Sequence, residues 1–293
     1  MSRDTLASYR ALVIGGSGGI GKAVSRLLLE RGASLWLHGR TEQRVRAARE
    51  ELFTALENSA GATDAPGRAD APGRADADGR ESFVGGPEER SRGERPLEGR
   101  GVAEDRVRPI VQPLERAEDW DSISRQVEPP DICVIAYGPY HEESLLETSS
   151  DAWRQMYELN TVLPARAISD LVPGMISRGF GRIVAFGGTG TDRVRGYREI
   201  AAYSAAKTAL SVLLRSAALT VGGANVTVNG VCPGMIDTEY LTPDVRAKWA
   251  RRMPTGSLVS VDGVAEAVGF LVDPENRSSN GVLLPIDEGL TAR

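Results

Sequence analysis

Tyr203 and Lys207 stand four residues apart in Tyr203-Ser204-Ala205-Ala206-Lys207. The chain has seven tyrosines and only three lysines, so this pairing is not an expected coincidence. On a helix, four residues is one turn, and both side chains then point into the same space. A phenol titrates near pH ~10 and is a poor acid or base at neutrality. An ammonium beside it favours the phenolate and moves that pKa toward working pH. The pair therefore predicts a proton-transfer device. A half-buried tyrosine beside a solvated lysine is the bland alternative, and it requires no further chemistry nearby.

Further chemistry is present at the start of the chain. Gly15-Gly16-Ser17-Gly18-Gly19-Ile20-Gly21 follows the apolar run Ala11-Leu12-Val13-Ile14 and opens a helical pattern. Glycines permit a tight turn and let a diphosphate approach the backbone, while the helix start offers unpaired N–H groups. Gly15, Ser17, Gly19, Ile20 and Gly21 are the expected contacts. An acidic residue after the second strand would hold the 2′-hydroxyl of NAD. His38-Gly39-Arg40-Thr41 stands there instead. Arg40 can pair with a 2′-phosphate and Gly39 leaves room for it, which predicts NADPH in preference to NADH.

The elements that must position these groups are legible from periodicity. Strands are expected at 11–14, 34–38, 107–111, 131–135, 182–186, 226–231 and 282–286. Helices are expected at 20–31, 41–56, 151–178 (bent near Pro164) and 201–221. Strands alternating with helices imply an α/β fold, one doubly wound parallel sheet with helices on both faces. The stretch 58–108 breaks the pattern. It is rich in Pro, Gly, Asp, Glu and Arg, with near copies of Ala69-Asp70-Ala71-Pro72-Gly73-Arg74. Too few apolar residues are present to offset ordering entropy, so it reads as a disordered insertion within one domain spanning 1–293.

Composition excludes several classes. The net charge of −5 argues against a nucleic-acid binder, which would carry a basic face. No apolar run approaches the ~20 residues of a membrane span, and Met1–Arg10 lacks a signal-peptide core, so a cytoplasmic protein is expected. Cys133 and Cys232 lie in apolar runs and read as buried free thiols. His38 and His141, the two histidines, lack the companion ligands of a zinc site, and no metal is expected. His38 reads as packing or as part of the adenosine edge, and His141 as a solvated loop residue, with a substrate contact as the alternative. Met235–Gly256 follows Pro233-Gly234 at the sheet edge where ligands bind, and is expected to be a mobile lid.

Together these residues resemble the short-chain dehydrogenase/reductase family, and within it the 3-oxoacyl-carrier-protein-reductase-like members. The resemblance covers nearly the whole chain outside the insertion. It rests on the glycine turn, on Tyr203 and Lys207, on Asn160 in Glu158-Leu159-Asn160, and on Asn229-Gly230-Val231-Cys232-Pro233-Gly234-Met235-Ile236-Asp237-Thr238. It implies an NADP-dependent interconversion of a ketone, such as a 3-oxoacyl thioester, and a secondary alcohol. Tyr203 would be the proton donor, Lys207 would hold the nicotinamide ribose, and Asn160 would keep a water in a proton relay. Gly138, Pro233, Gly234, Ile236 and Thr238 would line the cofactor. It also implies a homodimer or homotetramer built on the two long helices. An enoyl reductase fits less well, because that related group spaces its Tyr and Lys more widely.

Three departures stand against the family pattern. Ile135-Ala136-Tyr137-Gly138 replaces N-N-A-G, and Gln112-Pro113-Leu114 replaces the acidic residue that meets adenine. Gly188 occupies the position of the substrate-polarising serine and has no hydroxyl. Thr189 is the first replacement and Thr191 the second; with neither, one oxyanion-type donor is missing. These departures motivate a rival reading, a nucleotide-binding regulatory or scaffold protein with a degenerate site. Tyr203, Lys207 and Asn160 retained together argue against it.

Overall fold

A computed structural model describes residues 5–61 and 103–292. Seven strands form one parallel sheet: β1 (Arg10–Ile14), β2 (Ser34–Gly39), β3 (Val107–Val111), β4 (Ile132–Ile135), β5 (Gly181–Phe186), β6 (Val226–Pro233) and β9 (Leu283–Ile286). Their order is β3-β2-β1-β4-β5-β6-β9. Between β6 and β9 a second, two-stranded parallel pair forms from β7 (Ile236–Asp237) and β8 (Val259–Ser260). The strand order reverses between β1 and β4, and the crevice at their carboxyl ends is where ligands bind in such sheets.

The central strands are apolar on both faces because both faces are covered. Along β1, Ala11 and Val13 pack on one side and Leu12 and Ile14 on the other, as the two-residue strand period requires. The first layer contains α1 (Gly19–Glu30), α2 (Glu42–Gly61) and, from the C-terminal region, α8 (Val261–Leu271). The second contains α3 (Trp120–Ser124), α5 (Leu163–Arg178) and α6 (Ala201–Thr220). Cys133 and Cys232 are buried free thiols, as expected.

Two boundaries differ from expectation. The helix read as 151–178 is α4 (Ser150–Tyr157), a π turn at Glu158–Val162, and α5. Pro164 lies in the first turn of α5, where its missing N–H costs nothing; the break is the π turn just before it. The stretch read as insertion also ends inside structure. Residues 58–61 finish α2, a 3₁₀ turn spans Ala103–Arg106, and Val107 and Arg108 belong to β3. Residues 62–102 lie outside the described residues.

The helix α7 (Pro243–Ala250) occupies the region expected to be a lid. Thr242 caps it by accepting from the Val245 N–H, Pro243 sits in its first turn, and no residue of it is buried. Among the described residues, no helix is long and apolar enough to cross a membrane.

Candidate active site

The glycine turn joins β1 to α1 over the crevice. Gly15 has φ +80°, and a Cβ there would stand 2.6 Å from the Ala136 carbonyl oxygen, so only glycine fits. Its N–H donates to His38 Nδ1 at 3.0 Å. The other ring nitrogen, Nε2, therefore carries the proton and donates to the Gln112 carbonyl at 2.8 Å. His38 is fully buried, and burial pulls its pKa down to about 4. It is neutral at physiological pH and ties the turn to the ends of β2 and β3.

A cavity of about 360 Å³ opens against this turn, bordered by Ser17, Gly18, Arg40, Arg44, Gly138 and Tyr240. Arg40, just before α2, and Arg44, in its first turn, are both exposed. Arg44 was not expected; its signal was its spacing from Arg40 at the start of α2. Gly39 lines the same cavity beside Arg40. A Cβ on it would collide with Ser17 Oγ and would lie 2.6 Å from Val45 Cγ2, so Gly39 also makes room for Ser17 and Val45. The backbone turn, the start of α1 and the two arginines fit a dinucleotide with its phosphates on the turn.

At the other end of the crevice, α6 presents Tyr203 and Lys207. Lys207 is buried and its Nζ donates to the Phe186 carbonyl at 2.7 Å. It lies 5.9 Å from the Tyr203 ring centroid. Burial lowers the Lys207 pKa to about 8. Burial raises that of Tyr203, with Tyr140, Cys232 and Tyr197 adding to the effect. The expected lowering of the phenol by its lysine is thus not realised in this geometry. The ammonium bonds the end of β5, and desolvation outweighs its field.

Asn160 is fully buried in the π turn. Its Nδ2 donates to the Pro139 carbonyl at 3.1 Å, and its Oδ1 has no hydrogen-bond partner among the described residues. A Cβ on Gly138 would strike that oxygen and would lie 2.9 Å from Lys207 Nζ. Gly138 thus lets Asn160 and Lys207 face one point. Tyr137, at the altered end of β4, donates its hydroxyl to the Leu114 carbonyl at 2.8 Å and braces the loop after β3. Tyr140 packs edge-on against Tyr203, centroids 5.1 Å apart. His141 is partly exposed and pairs with Glu143 at 3.0 Å.

Gly188 does lie against Tyr203. A Cβ there would stand 3.2 Å from the Tyr203 hydroxyl. Thr191 is buried and its hydroxyl accepts from the Gly188 N–H at 2.8 Å and donates to the Gly188 carbonyl at 2.9 Å. It is a loop brace. The half-buried Thr189 donates to the Pro233 carbonyl at 3.0 Å, and its own carbonyl accepts from Tyr197. Its hydroxyl is in the same loop but turned toward β6. Pro233 and Gly234 are buried at the end of β6, and Ile236 and Thr238 follow half-buried, with the Thr238 methyl 3.8 Å from a Cβ position on Gly19.

Known proteins share this fold. The family model described as enoyl-(acyl carrier protein) reductase matches residues 115–291. Cis-4-hydroxycyclohexanecarboxylate dehydrogenase of Sinomonas cyclohexanicum is 29% identical over 99% of both chains. Among solved structures, actinorhodin polyketide ketoreductase with NADPH superposes with TM-score 0.74 at 22% identity, covering 98% of each chain. A 3-oxoacyl-[acyl-carrier protein] reductase from Brucella melitensis with bound NAD superposes with TM-score 0.73 at 20% identity, covering 98% of this chain and 92% of that one. With more than half of the chain matched by the model, this protein belongs to the short-chain dehydrogenase/reductase family and is a nicotinamide-dependent oxidoreductase that interconverts ketones and alcohols.

Proposed function

We propose that the protein is an NADPH-dependent carbonyl reductase, reversible as an alcohol dehydrogenase, with Tyr203 as its proton donor. The observation that carries this reading is Tyr203 held with Lys207 and Asn160 at the end of the crevice that the glycine turn opens. A bound nicotinamide supplies the hydride that reaches the carbonyl carbon. Tyr203 gives its hydroxyl proton to the carbonyl oxygen, and the products are the alcohol and a tyrosinate awaiting a proton. Burial keeps the phenol protonated at neutral pH, the form from which a proton can be donated. Lys207 holds the ribose side of the site while its own position is fixed by the Phe186 carbonyl. Asn160 Oδ1, an open acceptor facing the same point, orders a water that returns the proton.

Thr189 is the carbonyl-polarising hydroxyl in this reading. Rotation about its Cα–Cβ bond releases the Pro233 carbonyl and turns the donor into the crevice. Arg40 supplies the preference for a 2′-phosphate, with Arg44 beside it. The four-residue spacing of Tyr203 and Lys207 supports ketone chemistry over enoyl reduction. The substrate is a small molecule or a thioester, and the protein is a cytoplasmic homo-oligomer.

The test is a titration of nicotinamide fluorescence with NADPH and NADH, followed by turnover on a panel of ketones. NADPH is expected to bind tighter. Tyr203→Phe is expected to lower kcat by about 10²–10⁴ while leaving the NADPH Kd within about twofold. Full turnover in that variant would sink the assignment. Tighter NADH binding would remove Arg40 from it.

A further inference from the structure

The start of α1 is already capped by a group from far along the chain. Gly18, at the N-cap, offers no side chain, and the first turn of α1 holds no acidic residue. The Gly19 N–H donates instead to Glu239 Oε1 at 3.0 Å. Lys22 Nζ, one turn into α1, lies 4.0 Å from the same carboxylate. Next to it, the Tyr240 hydroxyl rests where a Cβ on Gly18 would stand, and its ring edge is 3.6 Å from the corresponding point on Gly19. The Arg44 guanidinium lies 5.9 Å from the Tyr240 ring centroid, so the ring also screens a cation that borders the cavity.

A carboxylate on a helix-start N–H uses the same bond and the same dipole as a phosphate oxygen. The Gly19 N–H has one proton to give. A diphosphate seated on this turn and the Glu239 carboxylate therefore compete for one donor, and the Tyr240 hydroxyl stands in the cradle that Gly18 leaves open. Both side chains are about half exposed, with 46% for Glu239 and 58% for Tyr240, so neither is locked by core packing. The chain beyond them, α7, buries nothing. These contacts can open without breaking the core.

We infer that Glu239 and Tyr240 are an internal stand-in for the cofactor diphosphate, holding the glycine turn in the free protein and setting cofactor affinity because the dinucleotide must displace them. This rests on the reading of the turn as the dinucleotide site. Displacement also frees the segment between β7 and α7.

The experiment compares wild type, Glu239→Ala, Glu239→Gln and Tyr240→Phe by NADPH and NADH titration and by thermal unfolding without ligand. Glu239→Ala is expected to tighten both dinucleotides by about two- to fivefold and to lower the melting temperature of the free protein. Glu239→Gln is expected to move both in the same direction by less. A merely structural contact would lower stability and weaken binding together. Unchanged or weaker binding in folded Glu239→Ala overturns the inference, and if that variant does not fold, Glu239→Gln decides it by the same sign. Binding by Glu239→Ala but not by wild type supports displacement. Binding by none of the four overturns the dinucleotide reading and this inference with it.

Discussion

The loop at Gly188 separates two threonines that sequence alone left as rivals. Thr191 spends its proton and a lone pair on the Gly188 backbone, and it is buried. Thr191→Val is expected to leave the buried Gly188 N–H unpaired and to cost about 1–3 kcal/mol of stability. Its kcat per folded molecule should change little. Thr189→Val, by contrast, is expected to lower kcat by about 10²–10³, the value of one oxyanion-type donor, with a melting temperature near wild type. Chemical denaturation and initial rates on the two variants check both statements. The opposite pattern would move the donor to Thr191.

At the scale of elements, His38 does what three separate backbone segments need. It accepts from the turn after β1, belongs to β2, and donates to the residue following β3. Its folded pKa of about 4 lies below the ordinary 6.5. Above pH ~6.5 both folded and unfolded chains hold it neutral and its contribution is complete. As pH falls from there toward 4, the unfolded chain takes up a proton that the folded chain refuses, and stability declines. The loss is on the order of 3 kcal/mol, at 1.36 kcal/mol per pKa unit. Thermal unfolding from pH 7 to 4 is expected to fall more steeply for wild type than for His38→Gln, which cannot titrate. Parallel curves would show that His38 titrates alike in the folded and unfolded chains. The π turn at Glu158–Val162 belongs to this scale too, since it delivers Asn160 to the Lys207 side of the crevice.

For the whole molecule, assembly is the open consequence of the surface. Val212 and Leu219 are seven residues apart on one face of α6 and are 61% and 86% exposed. Apolar side chains this exposed on the helix that carries Tyr203 and Lys207 support the homo-oligomer reading, in which the interface steadies the catalytic helix. Leu219→Glu is expected to lower the mass measured by sedimentation velocity by at least half at micromolar concentration. An unchanged mass would place the interface elsewhere, and a wild-type monomer would remove it.

The sequence by itself determined the layers and the position of the chemistry. Parallel-sheet strands buried on both faces are continuous apolar runs, and the glycine turn and the Tyr203–Lys207 spacing are local patterns that survive in one dimension. The sheet, the turn and the placing of Tyr203 with Lys207 were therefore legible from residues close in the chain. What the tertiary structure decided depends on residues far apart. Glu239 reaches Gly19 across 220 residues, and His38 joins Gly15 to Gln112. Lys207 bonds the end of β5 in place of the phenol, and Gly39 makes room for Ser17 and Val45. Desolvation, which sets the Tyr203 and His38 pKa values, is a property of the packed surroundings. No spacing in the sequence encodes it, because burial exists only once the layers have closed.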